Sequence, residues 1–245
     1  MTNLLRTALA FGAWALSACG AADPPPHPAP ADADPLPAAP SALSVAVSAE
    51  TVEELRVLGR DGRLDVRAVH GDSVRIRVAL TGGGCDRTAR AIERSRRHHR
   101  LQVRVEPSTK EKCDEVWSVE IPARVALTAR MDRADVAVSD LSGGVDVALG
   151  KGTIRADVQG GDIRLRVSNG DIIARSASSD YEMLEARAEV GDVSVALDGR
   201  RIEHPRPPGP GDWLRLTGQG NGRVVLRATV GSVRYIAGRP ARTVH

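Results

Sequence analysis

The chain has very few aromatic residues: three tryptophans, two tyrosines and one phenylalanine among 245 residues. A core built from this sequence must therefore be aliphatic, which suits thin, regularly layered β structure. The scarcity of rings also argues against a protein that stacks sugars or nucleobases on aromatic platforms. Basic and acidic residues nearly cancel, 34 against 31, so the charge balance does not indicate a nucleic-acid-binding protein.

The sequence also lacks the motifs of common hydrolases and nucleotide-binding enzymes. It has no G-x-S-x-G elbow, no H-E-x-x-H motif and no phosphate-binding Gly-Lys-Ser or Gly-Lys-Thr loop. Carboxylate pairs are the remaining catalytic candidates, either Asp146 with Asp162 or Asp162 with Asp171, as in enzymes that act on polysaccharides. Because acidic residues stand at most of the predicted turns, chance pairs are expected. We predict a protein that is not an enzyme and uses no cofactor.

No apolar run is long enough to span a bilayer, which takes about 20 residues. Residues 1–18 instead have the form of an export signal, with Arg6, an apolar run over residues 8–16, and then Leu16-Ser17-Ala18-Cys19. This segment resembles the bacterial lipobox, and the resemblance implies that Cys19 carries the lipid and becomes the mature N-terminus. A secretory signal with an incidental cysteine is the alternative. The following Gly20-Ala21 resembles lipoproteins of the outer membrane, so we predict a lipid-anchored protein of the bacterial cell envelope.

Beyond the signal, composition divides the chain into a tether and one folded domain. Residues 19–43 are dominated by proline, alanine and aspartate, which predicts a semi-extended tether. We predict a single domain over residues 44–240 with an irregular insertion at about 82–114. Cys85 and Cys113 are predicted to form a disulfide there, because exported proteins mature in an oxidising compartment. A metal site is the alternative, but two cysteines without a histidine cluster make a poor zinc site.

The insertion also carries the densest basic cluster of the chain. Its members are Arg94, Arg96, Arg97, His98, His99 and Arg100. The segment around them, residues 88–99, is predicted to be a short helix or an irregular hairpin arm. Such a cluster could bind anionic lipid or lipopolysaccharide, and a solvated arm is the alternative.

Residues 127–174 repeat every nine residues. One aliphatic register contains Leu127, Val136, Val145, Ile154, Ile163 and Ile172, and a glycine register contains Gly143, Gly152, Gly161 and Gly170. This period predicts an all-β fold, a right-handed β-solenoid or β-roll-like stack of short strands. If neighbouring strands lie one nonad apart, the outward residues Asp146, Arg155 and Arg164 form one column. Such columns are either solvated rows or a polar face for an acidic ligand.

Glycine-aspartate pairs punctuate the strands, as in Gly161-Asp162 and Gly170-Asp171. Calcium-binding β-rolls repeat G-G-x-G-x-D, but here Gly144 and Thr153 stand at two of the equivalent aspartate positions. Turn chemistry is the simpler interpretation, because glycine allows a positive φ and aspartate hydrogen-bonds nearby backbone. We predict no metal site. The final strands, near residues 214–235, are predicted to close the stack, with Trp213 as one of its caps and Tyr235 as another.

Two motifs carry a family resemblance. Residues 119–125 read Val-Glu-Ile-Pro-Ala-Arg-Val, and units such as Gly161-Asp162-Ile163-Arg164-Leu165 and Gly191-Asp192-Val193-Ser194-Val195 follow. They resemble the bacterial domain family named "putative adhesin", of unknown function, over roughly residues 44–237. The resemblance implies a β-solenoid-like domain at the cell surface and transfers no catalytic residue.

We therefore predict a non-catalytic, adhesin-like binding or structural module of the cell envelope. Its partners would be the membrane, through the N-terminal lipid, and an envelope glycan, lipid or protein, with no nucleic acid. One alternative is a sensor of envelope stress or antimicrobial peptides that contacts lipid or a partner protein. A polysaccharide-active β-helix enzyme is the other.

Overall fold

The computed structural model of the chain describes residues 43–81, 92–97, 99–105 and 113–238. Within these ranges it contains seventeen β-strands and no helix, so the all-β prediction is confirmed. The strands are β1 (Leu43–Ser48), β2 (Glu54–Leu58), β3 (Asp61–Val69), β4 (Ser73–Thr81), β5 (Ile92–Arg97), β6 (Arg100–Val105), β7 (Asp114–Pro122), β8 (Ala126–Leu141), β9 (Val145–Val158), β10 (Ile163–Asn169), β11 (Ile172–Ser176), β12 (Tyr181–Val190), β13 (Val193–Leu197), β14 (Arg200–Arg201), β15 (Asp212–Thr217), β16 (Gly222–Val230) and β17 (Val233–Ala237). No helix in the described ranges is long and apolar enough to cross a membrane.

Strands form where apolar and polar residues alternate, because successive side chains of a strand point to opposite faces. In β4, for example, Val74, Ile76 and Val78 are buried, whereas Arg75 and Arg77 between them are exposed. Part of the basic insertion, residues 92–97, forms a strand without such alternation. This strand, β5, pairs antiparallel with β6, so the hairpin alternative for this segment is correct and the helix alternative is wrong.

The strands pair in two rows, which the long strands β8 and β9 join because each contributes to both. Row A runs in the order β5, β6, β2, β8 (126–131), β9 (145–149), β10, β16, β12, β15. Row B runs in the order β1, β4, β7, β3, β8 (133–141), β9 (151–158), β11, β17, β13, β14. The buried side chains of both rows belong to one apolar cluster, so each row has an inner face toward the core and an outer face.

The repeat stacks with a period of two nonads. Leu127 pairs with Val145 and Val145 with Ile163, all in parallel register and eighteen residues apart. The nonad on which the fold prediction was based is thus half of the stacked unit: one nonad contributes to row A and the next to row B. Asp146 and Arg155 consequently lie in different rows, and the predicted column of Asp146, Arg155 and Arg164 is wrong.

The units do not stack in chain order. The last unit, β16 and β17, lies between β10–β11 and β12–β13: Ile163 pairs with Val224, and Val224 with Leu184. Of the final strands, β16 and β17 therefore do not close an end of the stack, whereas β15 does lie at an edge. The edge of row A is β15, and the edge of row B on the same side is β14.

A column of glycines marks the corner where the chain passes from row A to row B. It comprises Gly62, Gly152, Gly170, Gly231 and Gly191, whose φ angles lie between +131° and +138°, and Ala134 stands between Gly62 and Gly152. At Gly170 a Cβ atom would overlap the backbone oxygen of Gly152 in the adjacent unit. Close backbone contact and a left-handed φ both demand glycine there. The corner therefore explains the spacing of Gly152 and Gly170 in the sequence.

In the described ranges the core is aliphatic, as the composition predicts, apart from two aromatic residues. Trp117 on β7 is 0% exposed and Tyr235 on β17 is 1% exposed, so large rings are accommodated inside the stack. Burial raises the pKa of Tyr235 to about 12, although a hydrogen bond with Ser176 acts in the opposite direction. Tyr235 belongs to a strand between β11 and β13, and its predicted role as an end cap is wrong.

Candidate functional site

The predicted basic cluster is divided between a strand, a turn and the next strand. Arg94, Arg96 and Arg97 lie on β5, and Arg100 begins β6, where it forms a 2.6 Å ion pair with Glu54. His99 occupies the turn with a φ of 61°, and its Nδ1 lies 3.1 Å from the backbone oxygen of Thr51.

Arg94 and Arg97 are exposed, whereas His98 lies outside the described residues. The structure thus places part of the cluster at the β5 edge of row A. Because Arg100 is neutralised by Glu54, the charge available to an external ligand is lower than the sequence predicts.

The predicted lipidation and disulfide sites fall largely outside the described residues. Cys19 and Cys85 are not among them, and Cys113 directly precedes β7. Lipidation of Cys19 and pairing of Cys85 with Cys113 therefore stay predictions.

The outer face of row A carries a line of side chains that the sequence does not reveal. In consecutive strands the residues in register are Arg130, Ala148, Arg166, Arg227, Arg187 and Trp213. We call this line the arginine row. A cavity of about 630 Å³ opens above it, and its lining includes all four arginines and Ala148. Parallel pairing brings three arginines, at positions 166, 227 and 187, side by side on adjacent strands.

Two of these arginines form ion pairs with nearby carboxylates. Arg130 makes a bidentate contact with Asp146, at 3.1 and 3.2 Å, and Arg227 contacts Glu185 at 2.7 Å. Arg187 is 4.0 Å from Glu189, the limit of an ion pair. Arg166 pairs with no carboxylate of the described residues, and its neighbour in register, Ala148, has only a methyl group. The centre of the row therefore combines an available guanidinium group with open space.

Trp213 stands at the end of the arginine row, on the edge strand β15. Its side chain is 57% exposed, in contrast to the fully buried Trp117. A second cavity, of about 670 Å³, lies beside it and is lined by the proline-rich segment 207–211 and by Arg187. Arg187 and Glu189 line both cavities, so the two form one continuous surface, which we call the row A groove.

A histidine-aspartate pair lies near the same edge, with Asp212 buried and His204 half-buried. His204 Nε2 is 2.9 Å from Asp212 Oδ1, and Asp212 Oδ2 accepts a 2.9 Å hydrogen bond from the Val193 amide. Burial alone would raise the pKa of Asp212, but the hydrogen bonds from Val193 and His204 outweigh it and hold that pKa below its usual value. The pair ties segment 203–212 to the start of β13.

The carboxylates of the enzyme hypothesis each have a partner in the structure. Asp146 binds Arg130, and Asp162 accepts a 3.0 Å hydrogen bond from the Arg223 amide. Asp171 accepts hydrogen bonds from both the amide and the hydroxyl of Ser232, which lower its pKa. The turn interpretation is thus modified: Asp162 and Asp171 bond backbone in the next stacked unit, 61 residues away, rather than in their own turn.

In the described part of the chain, no group of three or more histidine, cysteine, aspartate or glutamate residues is placed to hold a metal ion.

Sequence reasoning missed the row A groove because its residues come from separated segments. Arg166 and Arg227 are 61 residues apart, and Arg187 precedes Arg227 by 40. One pattern is visible in the sequence: each of the three arginines follows one outward and one inward residue. The motifs are Arg164-Leu165-Arg166, Val225-Leu226-Arg227 and Glu185-Ala186-Arg187. The stacking order is still needed to bring these three motifs side by side.

No protein-family model and no curated protein matches this chain. A solved structure described as a "putative cell adhesion protein" from Clostridium sporogenes ATCC 15579 is similar to it with a TM-score of 0.54 at 10% sequence identity. The match covers 81% of this chain and 100% of that one. A "putative adhesin" from Bacteroides fragilis NCTC 9343 matches with a TM-score of 0.27 at 10% identity, over 80% of this chain and 97% of that one. The first of these likenesses shows a shared fold.

Proposed function

We propose that this protein is a lipid-anchored component of the bacterial cell envelope whose folded domain is a non-catalytic, adhesin-like binding module. The observation that carries the proposal is the outer face of row A, where side chains from successive strands stand in register along a continuous groove. A surface of this kind suits contact with an extended partner. The name of the Clostridium sporogenes protein with the similar fold, a cell adhesion protein, supports the same function.

The proposal includes a right-handed β-solenoid-like winding for the domain. Parallel pairing at an interval of eighteen residues through β8–β11 supports the repeated winding, because a solenoid repeats its backbone path at a fixed period. In such a fold the outer faces are built by many strands at once, and a binding surface can extend over several units without interruption.

The N-terminal segments supply the attachment in this proposal. Acyl chains on Cys19 would hold the protein in the membrane. Residues 19–43 would then separate the domain from the bilayer: if extended at about 3.1 Å per residue, this tether spans roughly 75 Å. That distance would allow the row A groove to reach partners beyond the immediate membrane surface.

The anchor is tested by fractionation of bacterial cells that express the full chain or its Cys19→Ser variant. We expect the full chain in the membrane fraction and the Cys19→Ser variant in soluble fractions, with a mass that lacks the lipid. Ala21→Ser is the matched control, because it alters a nearby residue but keeps the thiol. Equal membrane association of all three proteins would refute the anchor.

Adhesion is tested with the same cells. Cells with the anchored chain should aggregate or adhere to coated surfaces more than cells that release the Cys19→Ser variant, and accessibility to added protease reports whether the domain faces outward. Equal adherence at equal protein abundance would refute the adhesin-like function.

A further inference from the structure

We propose that the row A groove binds a linear acidic glycan, with carboxylates of successive sugars on the arginine row and one sugar ring on Trp213. This inference rests on the proposed binding function and gives it a ligand class. It depends on three observations: arginines aligned across adjacent strands, an exposed tryptophan at the end of that line, and an open groove that connects them.

The alignment sets the direction and length of the ligand. Adjacent strands are about 4.8 Å apart, so the step from Arg166 to Arg227, Arg187 and Trp213 covers roughly 14 Å across the sheet. A ligand with repeated charges along an extended chain can engage such a row at several points. A single small anion would use only one of them.

The chemistry of the row selects for carboxylates or similar planar anions. Guanidinium groups bind carboxylates through two parallel hydrogen bonds, which fixes orientation as well as charge. Arg166 is the foremost contact, because it pairs with no carboxylate of the described residues and adjoins the small Ala148. Arg187, at 4.0 Å from Glu189, can exchange this weak contact for a ligand carboxylate.

Trp213 distinguishes a glycan from other polyanions. Its ring is 57% exposed beside the cavity lined by Pro207, Pro208 and Arg187. An exposed indole contributes a flat apolar face and one N–H donor, which match the apolar face of a pyranose ring and its hydroxyl groups.

The test uses the full chain with Cys19→Ser, so that no lipid contributes to binding. Titration with polygalacturonate should show binding that weakens as the salt concentration rises, whereas neutral dextran should not bind. The double variant Arg166→Gln, Arg187→Gln should weaken polygalacturonate binding at least about tenfold. Trp213→Ala should weaken it by about five- to tenfold without a change in salt dependence, since the indole is neutral.

The control is Arg155→Gln, Arg234→Gln, which removes the same charge from the outer face of row B. Its Kd for polygalacturonate should lie within about twofold of that of the unaltered chain. Thermal unfolding verifies that every variant is folded. Absence of polygalacturonate binding, or equal losses in the row A and row B variants, would overturn the proposal. Binding to phosphatidylglycerol vesicles that depends on Arg166 and Arg187, without glycan binding, would also overturn it and identify a lipid surface instead.

The proposed adhesive function is judged separately. If cells that carry the anchored Arg166→Gln, Arg187→Gln variant adhere as well as cells with the unaltered chain, the glycan site is wrong while adhesion stands. If neither protein promotes adherence, the broader function fails.

Discussion

Substitution of Gly170 by alanine should destabilise the domain strongly, because it adds both backbone strain and overlap with the adjacent unit. Gly170 has a φ of +138°, and a Cβ atom there would overlap the backbone oxygen of Gly152 in the adjacent unit. Backbone strain of this kind costs about 1–3 kcal/mol. Overpacking against an immobile neighbour costs about another 1–3 kcal/mol.

The unfolded chain loses some freedom when glycine becomes alanine, which offsets about 0.4–1 kcal/mol of these costs. The net loss in the free energy of unfolding is therefore about 1–6 kcal/mol. For a domain of this size, 1 kcal/mol corresponds to a shift in Tm of roughly 2–4 °C. Gly170→Ala should thus lower Tm by roughly 2–24 °C, measured by calorimetry or by circular dichroism with urea titration as a second probe.

Substitutions at two other glycines separate the cost of backbone strain from the cost of overpacking. Gly71 has a φ of +122° but nothing within 4 Å of an added Cβ, so Gly71→Ala reports backbone strain alone. Gly160 has an equally open surrounding and no positive φ in the structure, so Gly160→Ala should change stability by about 0.5 kcal/mol or less. We expect Gly160→Ala to have the highest Tm of the three variants, Gly71→Ala an intermediate Tm and Gly170→Ala the lowest. If Gly170→Ala unfolds at the same temperature as Gly160→Ala, the close corner stacking is refuted.

Three further predictions concern buried or inter-unit polar contacts. Trp117→Phe removes the donor of a 2.9 Å hydrogen bond to the buried Glu115 Oε2 and should cost about 1–3 kcal/mol in urea unfolding; a loss below about 0.5 kcal/mol would contradict this. Asp212→Ala removes the acceptor of the Val193 amide and His204 and should cost about 2–3 kcal/mol, whereas Asp192→Ala, at an exposed ion pair, should cost under about 1 kcal/mol. Ser232 lowers the pKa of Asp171 in the folded state, so the contact between them contributes its full stability above the ordinary pKa of 3.8 and loses it as the pH falls through the lower pKa of the folded state. Asp171→Asn should therefore flatten the dependence of Tm on pH in this acid range. An unchanged pH profile would contradict the assignment.

Strand positions were accessible from the sequence because alternation of apolar and polar residues is a local property. Leu101, Val103 and Val105 mark β6 without reference to any other segment, and β7 is equally legible. The β5 strand was harder to predict, because arginines dominate it. Without apolar alternation, the sequence does not distinguish a helix from a strand there. The sequence shows the regular spacing of the corner glycines. It does not show that they stack on one another, because each contacts a residue of the adjacent unit.

Stacking order and the row A groove could not be predicted, because the units are almost interchangeable as apolar patterns. The inward residues Val224, Leu226 and Ala228 of β16 would suit the position beside β10 about as well as Leu184, Ala186 and Ala188 of β12. The observed order also carries specific polar contacts, such as Asp171 with Ser232 and Asp162 with the Arg223 amide. Such contacts join residues 61 apart and leave no periodic trace.

Local patterns were sufficient to predict an aliphatic, all-β domain with a repeated strand and turn, because side-chain alternation and glycine spacing follow from the geometry of single strands and corners. Tertiary structure decided that two nonads make one stacked unit and that the last unit lies between β10–β11 and β12–β13. That insertion alone aligns Arg166, Arg227 and Arg187 beside Trp213. The groove exists because backbone pairing between distant segments, and not proximity in the chain, sets which outward side chains become neighbours.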